Sequence, residues 1–195
     1  MFGVEKYPAK IAELLALPVG NALDAGSPEA SVRPRLADLR ASDLAVGVRP
    51  NDLAMAQACL SGLWLRFDFL DESHQLSQEI ETPTGSYWHA IMHRREGDYG
   101  NSKYWLRRAG HHPAMTALHE AAQLEWPSGE PKHGRQPAEI RKLLDETVWD
   151  PNQFVDLCAA ACGGRTDLAA ACRTLQRLEW ETLFDFCFTA AVGET

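Results

Sequence analysis

Apolar residues recur at three- and four-residue intervals along most of this chain, the period of helices that bury one face. Ile11, Leu14 and Leu15 give a narrow stripe after Pro8 and predict one short helix within residues 1–17. A longer stripe, Leu60, Leu63, Trp64, Phe67, Leu70, Leu76 and Ile80, predicts a helix over 53–81, capped by Asn51 or Asp52. It covers more than half the circumference, so this helix is expected to be central. Thr82-Pro83-Thr84-Gly85 should end it. Further helices are predicted over 113–124, through Met115, Leu118 and Ala122, and over 137–148, through Ile140, Leu143 and Leu144. Asp150-Pro151 reads as an N-cap with proline at the first helical position, and Gly163 as the stop of that helix. Thr166 or Asp167 should cap the last helix, where Leu168, Cys172, Leu175 and Leu178 keep the spacing. No run alternates in the manner of a strand, and the fold class expected is all-α.

Between these stripes the chain is punctuated by turn formers. Pro18, Gly20, Asn21, Gly26, Pro28, Pro34, Gly47 and Pro50 make residues 1–50 a loop-rich arm, with Ser27-Pro28-Glu29 suited to cap a short helix. Its apolar residues are too sparse for a separate domain, so the arm should pack on the body of a single domain, a helical bundle spanning 1–195. Residues 125–137 read as an exposed loop.

Composition changes this picture little. The length, 195 residues, suffices for a core without staples, and the 45% hydrophobic and 24% charged content is that of a soluble globular chain. A net charge of −8 argues against nucleic acid as partner. No uncharged stretch approaches a membrane span. The start, MFGVEKYP, lacks an apolar run behind a basic end, so no signal peptide is expected. An odd five cysteines suggest free thiols and a cytoplasmic setting. Cys158, Cys162 and Cys172 lie among alanines and read as small core residues. Trp180, Phe184, Phe186 and Phe188 make the last helix aromatic nearly all round, which suits a core and would equally suit a homodimer seam.

One stretch departs from scaffold chemistry. Ser86–Pro113, SYWHAIMHRREGDYGNSKYWLRRAGHHP, gathers four His, four Arg, a Lys, Glu96, Asp98, Asn101 and two Trp. On a helix turning about 100° per residue, His89, His93 and Glu96 share a narrow arc, a spacing able to ligate a divalent metal ion. His74, on the preceding helix, is a further candidate ligand, and six of the seven His fall between residues 74 and 119. A second chemistry is anion recognition by Arg95, Asn101, Tyr104 and Arg108, whose partner would be a small anionic molecule or a peptide carboxylate. Arg95 projects among apolar neighbours, so it must either face a pocket or pair with a carboxylate such as Glu96, Asp98, Asp68 or Glu72. A third is acid–base work, with His89 or His93 as base, Glu96 or Asp98 orienting it, and Arg95 stabilising developing charge. No nucleophile or phosphate-binding motif accompanies these residues, so no reaction class follows.

Within this stretch Glu96–Ala109, EGDYGNSKYWLRRA, is similar to the second half of a tetratricopeptide repeat. Gly97, Asp98 and Tyr99 match its inter-helix turn, and Ser102, Trp105 and Ala109 its small, aromatic and small positions. The resemblance implies an antiparallel helix hairpin over 87–110, which in the single domain expected here should pack on the 53–81 helix. It also implies a competing role as a peptide-binding module without catalysis. It covers one helix pair, and no second copy appears at the repeat's period. The whole stretch also resembles an uncharacterised all-helical family of bacterial and fungal proteins, from which no activity follows.

Overall fold

The computed structural model describes residues 3–45, 50–126 and 137–193; the loop expected over 125–137 lies almost wholly outside them. Among the described residues there are ten α-helices and no strand. Two short helices, α1 (Ala9–Leu15) and α2 (Arg33–Asp38), belong to the arm. The body comprises α3 (Leu53–Arg66), α4 (Leu70–Ser77), α5 (Pro83–Glu96), α6 (Tyr99–Ala109), α7 (Pro113–Glu125), α8 (Ala138–Asp145), α9 (Pro151–Cys162) and α10 (Thr166–Val192). None of the described helices is long and apolar enough to cross a membrane.

The single helix expected over 53–81 is two. It breaks at Phe67–Phe69, where Asp68 takes a left-handed φ of 64°. That conformation is unfavourable for a residue with a side chain. Tertiary hydrogen bonds hold it: the Asp68 carboxylate accepts from Arg95 at 2.5 Å and from the Ser27 amide at 3.1 Å, and the Phe67 carbonyl accepts from the Glu29 amide. The same contacts explain why Ser27-Pro28-Glu29 caps no helix. The Ser27 and Glu29 amides are spent on the break, and α2 starts only at Arg33.

The centre is α5, not the 53–81 segment. Every residue from Thr84 to Arg95 is buried, and α5 packs on α3, α4 and α6, while α10 packs on α3, α7 and α9. So polar a helix can be buried all round only if most of its polar groups are satisfied there, and among those of α5 Arg94 Nε is left without a partner. Thr84 Oγ1 lies 3.0 Å from His112 Nε2, Tyr87 Oη donates to Glu179, and Trp88 Nε1 to Cys187 Sγ. Arg94, 1% exposed, forms a two-pronged ion pair with Glu179, also 1% exposed, across to α10. Burial opposes the Arg94 charge, yet the Glu179 carboxylate outweighs it and raises the Arg94 pKa.

The ends of α5 follow the sequence signals. Thr82 Oγ1 accepts from the Gly85 amide, Pro83 opens the first turn, and Gly97 closes the helix at φ 83°. Asp98 then caps α6 through the Asn101 amide, and Ser102 Oγ donates to the Ala90 carbonyl, drawing the two helices of the hairpin together. The next helix, α7, packs on α8 and α10. At the last helix, Thr166 is already helical and Arg165 occupies the cap position with no side-chain cap. Asp150 and Gly163 bound α9 as expected, whereas α8 ends at Asp145, short of 148. Cys158 and Cys172 are buried, but Cys162 is exposed, and all five thiols are free. Trp180, Phe184 and Phe188 are buried within the chain.

The arm lies on the body through named bonds. Arg66 donates to the Leu15 carbonyl, Arg95 to the Asp24 carbonyl, and Gln176 to Asn21 and Ala22. Removing one member of a buried ion pair strands the other. Glu179→Ala is therefore expected to lose about 3–5 kcal/mol of unfolding free energy in urea titration. The double variant Arg94→Met/Glu179→Leu should lose clearly less, because no charge is left unpaired.

Candidate metal centre

His89 and His93 lie one turn apart on α5, and the break at Asp68 sets α4 so that His74 meets them. The three rings form a triangle, with centroids 4.6 Å apart for His74–His89, 4.7 Å for His89–His93 and 5.4 Å for His74–His93. One nitrogen from each lies within 4.8 Å of the other two, so the cluster could hold a metal ion. Tetrahedral zinc with Zn–N bonds of about 2.0–2.1 Å keeps its donors roughly 3.3 Å apart, so closing on an ion needs a contraction of about 1.5 Å or less.

The surroundings differ for each ring. His89 is 2% exposed, with Nδ1 3.3 Å from Ser77 Oγ and its ring 4.1 Å from that of Trp105. Burial, and then the nearness of His93 and His74, lower its pKa from 6.5 to about 3, so it is neutral at physiological pH. A neutral imidazole is the form that binds metal. His93 is 9% exposed, and its Nδ1 lies 3.0 Å from Glu96 Oε2. An Nδ1–H given to Glu96 leaves the Nε2 lone pair outward, the carboxylate–imidazole arrangement common behind metal ligands. His74 is half-buried, and its ring nitrogens have no hydrogen-bond partner among the described residues. Glu96, expected as a ligand, thus stands behind His93, in contact with Nδ1.

His112 and His119 do other work. His112 caps α7, accepting the Ala114 amide at Nδ1 and meeting Thr84 at Nε2, and burial lowers its pKa to about 4. His119 Nε2 lies 3.2 Å from the Leu144 carbonyl, and His111 is exposed.

The residues expected to recognise an anion are not gathered in one place. Arg95 turns to the other side of α5, with Nε on the Asp24 carbonyl at 2.6 Å and Asp68 in an ion pair. Of the four carboxylates compatible with its position in the sequence, the partner is Asp68. Asn101, Tyr104 and Arg108 are exposed on α6. Asn101 is committed to Asp98, whose carboxyl it holds below the ordinary range through backbone and side-chain N–H groups. Arg108 lies 5.2 Å from the Trp105 ring, which itself lies beside that of His89. Ser77 and Trp105 complete the surroundings of His89; Ser77 carries no signal in the sequence that would single it out, and Trp105 stands out there only as an aromatic position of the repeat-like helix.

No protein-family model matches the chain, and neither a curated protein nor a solved structure does.

The depressed proton affinity of His89 has a measurable consequence. Between about pH 3 and 6.5 the unfolded chain binds this proton and the folded chain does not, so lowering the pH favours unfolding. The stability concerned is fully present above 6.5 and is lost as pH falls toward about 3, and His112 acts likewise down to about 4. Urea titrations across this window should show stability falling with pH, with a shallower slope in His89→Gln and in His112→Gln.

Proposed function

We propose that this protein binds a divalent transition-metal ion through His74, His89 and His93. The observation that carries the reading is the convergence of one nitrogen from each ring, from two different helices, within 4.8 Å. Three details support it. His89 is neutral at physiological pH, His74 keeps its nitrogens uncommitted among the described residues, and Glu96 is placed to fix the His93 tautomer. Imidazole donors select zinc, iron, cobalt, nickel or copper over calcium and magnesium. Three protein donors leave a coordination position open, and an ion so held supplies a water of lowered pKa.

Around it, the chain's own residues limit what can approach. Trp105 covers His89, and Arg108 lies against Trp105, so its positive charge favours an anionic molecule beside the ion. This joins the metal and anion readings in one place, with Arg108 and not Arg95 as the cation.

Elemental analysis of tag-free protein, dialysed against zinc or cobalt and then against buffer, tests the reading. About one ion per chain is expected, and cobalt should give the visible absorption of a tetrahedral or five-coordinate site. His74→Ala, His89→Ala and His93→Ala should each lose the ion while staying folded by circular dichroism. Glu96→Gln should retain it with affinity reduced about 10–100-fold. Retention of the full ion content by the three His variants would refute the assignment.

A further inference from the structure

Glu96 stands behind His93, and the corresponding group behind His89 is a serine on the neighbouring helix. Ser77 Oγ lies 3.3 Å from His89 Nδ1, and both residues are 2% exposed. The same hydroxyl lies 3.2 Å from the carbonyl of His74, three residues back on α4. A carbonyl only accepts, so this second contact is a hydrogen bond only with Ser77 as donor. The His74 carbonyl also accepts the Gln78 amide at 3.0 Å, and its two lone pairs serve both.

A hydroxyl has one proton to give. Once it goes to the His74 carbonyl, Oγ offers His89 only lone pairs, and Nδ1 must carry the ring proton. Both contacts are then hydrogen bonds. With Ser77 turned to donate to a bare Nδ1, the bond to the carbonyl is forgone and one bond stands in place of two. In a buried setting that loss is costly, so the geometry favours His89 protonated on Nδ1.

We propose that Ser77 is a positioning residue of the metal centre: by accepting the Nδ1–H of His89, it leaves the Nε2 lone pair of that ring for the ion. This rests on the metal reading of the three imidazoles. Which ring nitrogen takes a metal is set by the bond that the other makes. Glu96 does for His93, from within α5, what Ser77 does for His89 from α4. The two supports differ in kind. Ser77 is neutral and adds no charge beside the ion. It also shares a turn of α4 with His74, so one turn supplies a ligand and orients another on the facing helix.

The test is proton–nitrogen NMR of the histidine rings in the full chain, in chelator at neutral pH, followed by zinc titration against a chromophoric competitor. In wild type the His89 ring, identified by its absence from His89→Gln, should carry its proton on Nδ1 with Nε2 bare. Ser77→Ala should lose this preference at His89 while His93, held by Glu96, keeps its own. The same variant should bind zinc about 10–100-fold more weakly at unchanged stoichiometry. Ser77→Thr keeps the hydroxyl and should restore both tautomer and affinity. The proposal is overturned by His89 protonated on Nε2 in wild type, or by a folded Ser77→Ala with wild-type tautomer and affinity. It is equally overturned if Ser77→Thr regains the tautomer but binds zinc no better than Ser77→Ala. Failure of the metal reading looks different: wild type takes up no zinc whatever the tautomer of His89, and the role of Ser77 falls with it.

Discussion

Two charges that cannot reach water, on Arg94 and Glu179, lock α5 against α10. A helix buried on every side could rotate among several packings of similar hydrophobic content, since burial is not directional. An ion pair in the interior is directional, because any other rotation strands both charges. With Arg94 pointing at α10, the helical period fixes the rest: His89 and His93 face α4, and Arg95 faces the arm. Tyr87 reinforces the setting by donating to the same carboxylate. The position of the imidazole cluster therefore follows from how one pair is buried.

The second constraint is the break at Asp68. A straight helix through 53–81 would carry His74 along the line of Phe67 and Leu70. The left-handed residue redirects α4, and the anchors of the break are Arg95 and the arm. One arginine thus serves two elements: it holds the break after α3 and the Asp24 carbonyl of the arm.

The fold class and most helix limits were legible in the sequence because apolar spacing, caps and prolines are local signals. So were the His89–His93 pair and the candidacy of His74, since spacing on one helix and proximity in the chain are visible without coordinates. The break at 67–69 was not, because the apolar pattern runs through it and its cause is Arg95, 27 residues on. The centrality of α5 was hidden for a related reason: its polar residues look like a solvated face until Glu179 and Ser77 are seen to satisfy them. Glu96 shows the limit of spacing arguments, which place a carboxylate near a ring but cannot tell ligation from support behind it.

The two long-range features differ in how much chain they need. All three imidazoles fall within residues 74–93, on two helices joined by a short link, so bringing them together closes only a small loop. Arg94 must await Glu179, 85 residues later. During synthesis the α4–α5 pair emerges with its imidazoles complete while Arg94 still lacks its counter-charge. The cluster is thus a local object that the chain can assemble early, and α10 is the late element that seals it in place.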